Sequence, residues 1–167
     1  MIKILGLDPG LRRTGWGVIQ VDGNMLRFLA AGTVCSDDKL DLAERLAQLH
    51  RGVIEVIGAW SPTLAAVEET FVNKNPLSTL KLGQARGAVM LAASLSGLSV
   101  GEYTPNAVKK AVVGSGHAAK EQVEMMVRTL LGGAKTDGAD AYDALAVAIC
   151  HAHHRGTRDR VKAGLLA

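Results

Sequence analysis

Residues 2–18 read IKILGLDPGLRRTGWGV, and how this stretch folds decides the rest of the chain. Residues 2–6 read as a buried strand, and the strand delivers a single carboxylate, Asp8, at its end. Pro9 and Gly10 then force a turn, because proline fixes φ and glycine tolerates positive φ. A second apolar run over residues 16–19 follows at once, so the unit is a hairpin. A carboxylate on an otherwise apolar central strand is costly to bury unless something neutralises it, and a bound cation is the simplest neutraliser. The alternative, which the fragment leaves open, is that Asp8 caps the turn through its own backbone.

Outward from the hairpin, residues 26–34 read as a third strand after the Asp22-Gly23-Asn24 turn, which makes an antiparallel meander. Leu42, Leu46, Leu49, Val53, Val56 and Trp60 recur at three- and four-residue spacing, the pattern of an amphipathic helix that Ser61-Pro62 ends. Residues 64–67 are a fourth strand running into Glu68-Glu69, with Glu69 turned to the opposite strand face as a structural residue. A polar loop containing Phe71 leads to a helix over residues 76–95, with Pro76 in its first turn. Residues 98–103 are a fifth strand, Pro105 opens a short helix, and residues 120–131 form another that Gly132-Gly133 stops. Asp137 is placed to N-cap a last helix ending near His153, and residues 155–167 read as a basic, mobile tail. The order predicts one domain over residues 1–154. It is an α/β fold with a mixed five-stranded sheet, three strands in an antiparallel meander plus two parallel ones, and helices on both faces.

The 167 residues suffice for one domain, and 48% hydrophobic content with only 4% aromatics predicts a core of Leu, Val, Ile and Ala. Charge is uneven: residues 1–70 hold seven Lys and Arg against nine Asp and Glu, and residues 71–167 hold twelve against seven. A basic second half suits a polyanionic partner. Cys35 and Cys150 are far apart and in no metal-like spacing, which excludes a disulfide framework and a zinc site and fits a reducing cytoplasm. The start MIKILGLD carries no signal-peptide pattern, and the longest apolar stretch, residues 88–100, is too short and too interrupted to span a bilayer, so no membrane partner is expected.

Four acids carry the chemistry. Asp8 ends the first strand, Glu68 ends the fourth, and Asp140 and Asp143 sit one turn apart in the last helix. Their neighbours Ala139, Ala141, Ala144 and Ala146 are small, which lets that helix approach a sheet closely. If strands one and four are adjacent and parallel, all four carboxylates meet. Such a group cannot stay charged without a cation, and an all-oxygen donor set favours Mg²⁺ or Mn²⁺ over Zn²⁺. Two ions there would activate a water and stabilise the leaving oxygen of a phosphodiester. Taken singly, Asp140 and Asp143 are also ordinary acids for a helix N-terminus.

The blocks LGLDPGLRRTGWGV, VEETF, LKLGQARG, VVGSGHAAK, MVRTLL and DAYDALAVAI, in this order, closely resemble the RuvC family of Holliday-junction resolvases. The resemblance runs from Ile2 to about His151. It implies a ribonuclease H-like fold, a homodimer, and paired Mg²⁺-dependent nicks in a four-way DNA junction that leave 5′-phosphate and 3′-hydroxyl ends. It also implies two Mg²⁺ per subunit, with Mn²⁺ as a substitute, and the RuvA and RuvB branch-migration proteins as partners. The matching catalytic and metal-holding acids are Asp8, Glu68, Asp140 and Asp143. Lys109 and Lys120 match positions close to the DNA backbone near the cut phosphate, where Lys120 would stabilise developing charge. Both are otherwise ordinary solvated lysines.

Lys74, Lys81 and Arg86 follow Glu68 and could track the phosphates of a junction arm, although Arg86 could equally pair with a nearby acid. Phe71 could stack on an unpaired base at the crossover, a role the resemblance supports, or tuck under its loop. His117, in the glycine-rich loop before Lys120, is a candidate phosphate contact. His151, His153 and His154 read as a solvated cap at the end of a helix. Residues 114–116 lack the pattern of a P-loop. Three other functions compete. A ribonuclease H-like enzyme acting on RNA would use the same acids. A sugar-kinase or actin-like phosphate site resembles the Asp8-Pro9-Gly10 and Thr14-Gly15 turn, but 167 residues cannot supply its two lobes. A non-catalytic junction-binding module would not need the acids.

Overall fold

The structure, a computed structural model, describes residues 1–69 and 74–165, with only the backbone given for 157–165. Its elements are β1 (Ile2–Asp8), β2 (Arg13–Asp22), β3 (Met25–Cys35), α1 (Leu42–Trp60), β4 (Leu64–Glu68), α2 (Pro76–Leu95), β5 (Ser99–Tyr103), α3 (Pro105–Val113), α4 (Lys120–Leu130) and α5 (Ala139–Leu165). The strands form one sheet in the order β3-β2-β1-β4-β5. β1 and β3 pair antiparallel with β2, whereas β1–β4 and β4–β5 are parallel. The expected meander and parallel pair are therefore both present.

Strand parity sorts the side chains into two layers. Leu5, Leu7, Val18, Ala65 and Val67 pack against Leu49 and Val53 of α1 and Ala85, Val89, Ala92 and Ala93 of α2. Ile4, Ile19 and Ala66 face the other way, onto Leu145, Ala148 and Ile149 of α5, with α3 and α4 beyond. β1 is covered on both faces, which explains the unbroken apolar run from Ile4 to Leu7. Asp8 shares the parity of Ile4, and Glu68 that of Ala66. Both carboxylates therefore belong to the face on which α5 lies.

α5 reaches that face closely because the strands are cut away beneath it. A Cβ on Gly6 would stand 2.0 Å from the Ala144 carbonyl oxygen, and one on Gly15 would stand 2.0 Å from that of Asp140. Gly17 would meet the Leu145 side chain at 2.7 Å. Small residues on both sides make the contact, and the alanines of α5 are only its helical half.

Three expectations about α5 are corrected. The helix does not end near His153 but continues to Leu165, because residues 155–165 contain no proline and helix formers carry it on after the apolar periodicity stops. The residue before it is Gly138 at φ 86°, a left-handed turn that suits glycine, so Asp137 stands one place outside the N-cap position. The histidines are not a solvated cap. His151 Nδ1 is 3.0 Å from the Tyr103 hydroxyl, His154 stacks on the Tyr103 ring, and His153 Nδ1 is 3.1 Å from the Ala111 carbonyl oxygen. They tie α5 to edge strand β5 and to α3. Among the described residues, no helix is long and apolar enough to cross a membrane.

Candidate active site

Asp8 ends β1 and Glu68 ends β4, and the parallel register that sets Leu7 beside Val67 carries on to place the two acids side by side. Asp140 and Asp143 project from the first turns of α5 over the same end of the sheet. All four are half-buried. Their proximity shows in the titration of Asp8, whose pKa is pushed up to about 8 by burial and then by the charges of Glu68, Asp143 and Asp140 in turn, against an opposing pull from Lys120. Glu68 is raised to about 7, chiefly by burial and next by Asp143. Lys109, Lys120 and a hydrogen bond shared with Asp8 lower it. Among the described residues, no three such side chains close up into a finished ligand cage. The acids instead border an open end of the sheet.

Lys120 is the first residue of α4 and reaches across to α5, where Nζ donates to Asp143 Oδ2 at 2.7 Å. That hydrogen bond raises the lysine pKa, so the side chain is held as a cation. The start of α4 is fixed by Gln122, whose Oε1 accepts from the Ala119 N–H at 2.9 Å. Glu68, Lys109, Lys120 and Asp143 line a cleft of about 230 Å³ floored by Pro105, Val108, Val123 and Ala146. The cleft thus has carboxylates on the β4 and α5 side and two lysines on the α3 and α4 side.

Of the other candidates, Arg86 takes the alternative that the sequence left open. Its guanidinium pairs with Glu102 of β5, and Nε donates to the Glu68 carbonyl oxygen at 3.3 Å. It fixes the strand end that presents the Glu68 carboxylate. Lys74 and Lys81 are exposed near the start of α2, and neither is among the residues lining the cleft. His117 is exposed before α4, its backbone N–H held by Ser115 Oγ at 3.3 Å, and it is not among the residues lining the cleft. Glu69 lies past the end of β4, where its N–H donates to the Tyr103 carbonyl oxygen at 2.8 Å. Phe71 lies outside the described residues.

Two supports escaped the sequence reading. The first is the glycine set beneath α5, signalled by three glycines inside strands, where glycine marks a close backbone approach. The second is Tyr142, between the two helix acids. Its hydroxyl accepts from Arg128 Nε at 2.9 Å and from the Thr136 N–H at 3.3 Å, and Arg128 also covers its ring. The tyrosine anchors the start of α5 to α4 and to the loop between them. Nothing in the spacing of Tyr142 marks it out.

The family model described as "Crossover junction endodeoxyribonuclease RuvC" matches residues 4–151. A crossover junction endodeoxyribonuclease RuvC of Rhodospirillum rubrum is 68% identical over 154 residues, which cover 92% of this chain and 91% of the relative. The structure of T. thermophilus RuvC in complex with a Holliday junction substrate superposes with a TM-score of 0.87 at 37% identity, covering 94% of this chain and 96% of that one. The yeast mitochondrial Holliday junction resolvase shares the fold at a TM-score of 0.68 and 10% identity, covering 98% of this chain and 86% of that one. The sheet order, the flanking helices and the identity across nearly the full length of its relatives agree: the chain belongs to the RuvC family of crossover junction endodeoxyribonucleases.

Proposed function

We propose that this endodeoxyribonuclease resolves four-way DNA junctions by divalent-cation-dependent hydrolysis at the site built from Asp8, Glu68, Asp140 and Asp143. The observation that carries this reading is the parallel register that sets Asp8 and Glu68 side by side under the start of α5, where burial first and neighbouring acids next push Asp8 up to about 8 and Glu68 to about 7. Two carboxyls that cannot both ionise comfortably at neutral pH are suited to a cation between them. The donor set is entirely carboxylate oxygen, which fits Mg²⁺ and accepts Mn²⁺. Asp8, Glu68, Asp140 and Asp143 would hold the ions, two per subunit as the family membership implies. Bound there, Mg²⁺ would supply an activated water and charge neutralisation at the leaving oxygen.

The chain's own residues do the rest. Asp8 and Glu68 are fixed by the parallel strand pair, and Arg86 braces the end of β4. Asp140 and Asp143 are set by the seat of α5 on Gly6, Gly15 and Gly17. Lys120, kept protonated by Asp143, offers positive charge to the phosphoryl group as negative charge grows on it. Lys109, on the same wall, holds the strand by its phosphates. The products carry 5′-phosphate and 3′-hydroxyl ends, as the family membership implies.

Paired, symmetric nicks need two sites related by a two-fold axis. On α2, Leu80, Leu91 and Leu95 are exposed, with exposed Gly83 and Gly87 between them, and these positions fall along one stripe of the helix. Among the described residues, nothing beyond the helix's own nearby backbone lies within 4 Å of where either glycine would carry a Cβ, so the stripe has room for a second helix at close range. The homodimer forms there. Assembly with the RuvA and RuvB proteins and a cytoplasmic location are proposed on family membership.

Incubation with a synthetic four-way DNA junction, with and without Mg²⁺, tests the function. Paired nicks at symmetric positions that appear only with the cation support it. Equal or preferred cutting of an RNA–DNA hybrid overturns it in favour of the RNA-directed alternative.

A further inference from the structure

Lys109 and Lys120 stand on one side of the acids only. On the other side lies an open hollow of about 600 Å³ bordered by Gly10, Leu11, Arg12, Arg13 and Asp140. Its rim is the turn between β1 and β2, and that turn is braced from several directions. Thr14 Oγ1 donates to the Gly10 carbonyl oxygen at 3.0 Å and accepts from the Gly10 N–H at 3.3 Å. Ser36 donates from its N–H to the Arg12 carbonyl oxygen at 3.1 Å and from its hydroxyl to that of Leu11 at 2.5 Å. Arg45 Nε donates to the same hydroxyl at 3.0 Å, which ties the turn to α1.

On this fixed backbone both arginine side chains are exposed, and among the described residues neither pairs with a carboxylate, that of Asp140 included. Arg13 shares the strand parity of Gly15 and so belongs to the face that carries α5. Two unpartnered guanidiniums, held on a rigid turn beside one of the four acids, lose little freedom on taking up an anion. Their planar forks match phosphate oxygens. They also complete a pattern of charge: carboxylates in the middle, lysines on one flank and arginines on the other.

We propose that Arg12 and Arg13 form a second phosphate clamp for the strand being cut, gripping the phosphodiester on the side of the acids away from Lys109 and Lys120. The clamp rests on the resolvase reading of the site. A strand stretched between two basic flanks is held at both ends across the carboxylates, and the phosphate between them is placed over Asp8. Neither arginine is used by the core, so replacing them leaves the fold intact.

The test is binding of a fluorescent four-way junction to Arg12→Ala/Arg13→Ala over a range of salt concentrations, beside wild type and Arg12→Lys/Arg13→Lys. The alanine pair is expected to lose about tenfold or more in affinity at low salt and to lower the log–log salt slope by about two, the charge of two phosphate contacts. The lysine pair restores the slope, and thermal unfolding is unchanged. A junction with neutral methylphosphonates flanking the cut is expected to weaken wild type but not the alanine pair. Wild-type affinity and slope in the alanine pair, while wild type still cuts the junction, overturn the clamp alone. A wild type that neither binds nor cuts junctions overturns the clamp together with the resolvase reading.

Discussion

Gly15 of β2 and Asp140 of α5 touch backbone to backbone: a methyl group on Gly15 would fall 2.0 Å from the Asp140 carbonyl oxygen and 3.1 Å from its Cβ. Gly15 lies opposite Asp8 in the antiparallel pair. One missing side chain therefore sets how far the acid of α5 stands from the acid of β1. Gly15→Ala is expected to push the start of α5 away, costing about 1–3 kcal/mol by overpacking. Cutting should fall by about tenfold or more, since misplacement by about an ångström is costly at a reacting centre. Gly58→Ala, in α1 with no atom near the new methyl, is the control and should be neutral or stabilising. Denaturant unfolding of both variants and their rates on a four-way junction make the comparison.

Asp8→Asn is expected to abolish cutting and to leave junction binding near wild type, because this acid serves the cation and not the affinity. It should also change stability in a definite direction. The folded-state pKa of Asp8, about 8, and that of Glu68, about 7, both lie above the usual carboxyl range, so the cation-free folded protein binds more protons than the unfolded chain between about pH 4 and pH 8. Its stability therefore falls as pH rises through that window. Asp8→Asn should flatten the fall and raise Tm at pH 8. Mg²⁺ should raise the Tm of wild type more at pH 8 than at pH 6, and that of Asp8→Asn much less. Thermal unfolding at the two pH values, with and without Mg²⁺, reads all of this, and a wild-type Tm that climbs with pH in the absence of Mg²⁺ contradicts it.

Lys120→Ala should slow the chemical step by about 10²-fold, the scale of losing one preorganised charge at a transition state. Binding should fall by the smaller amount of one phosphate contact, with the other basic residues still in place, and the fold should hold, because the lysine pairs with Asp143 on an exposed edge, where such pairs add little stability. Lys120→Arg should recover part of the rate. Single-turnover cleavage with saturating enzyme separates the step from binding.

Phe71→Ala should slow cutting more than it weakens binding, as expected of a ring that stacks on an unpaired base at the crossover. Rates and affinities on one junction, compared with wild type, decide this. Unchanged turnover removes the stacking role.

Leu91→Glu, in the exposed stripe of α2, should convert the dimer to monomers and replace paired nicks with single ones. Light scattering gives the mass, and a supercoiled cruciform substrate distinguishes paired from single nicking.

The strand and helix order was legible because hydrophobic period is a local property. The runs ending in Asp8 and Glu68 and the three- and four-residue spacing of α1 could each be read without neighbours. The candidate acids were legible for a related reason: a carboxylate at the end of an apolar segment is a local anomaly. The end of α5 was misread because apolar periodicity reports a packing face, and a helix can outrun the surface it packs on. The three histidines followed from the same misreading, since their partners Tyr103 and Ala111 lie far back in the chain.

By itself, the sequence determined the elements, their layering, the family and the residues with unusual charge for their surroundings, all of which depend on neighbours along the chain. Only the tertiary structure decided the distances. It set the parity that puts Asp8 and Glu68 on one face, the glycine seat that brings Asp140 and Asp143 over them, and the pairing of Arg86 with Glu102 rather than with solvent. Among the described residues it also left Arg12 and Arg13 without a carboxylate partner, on a braced turn. These relations are fixed by close packing and by the desolvation of charge, and neither exists until the sheet and its helices have met.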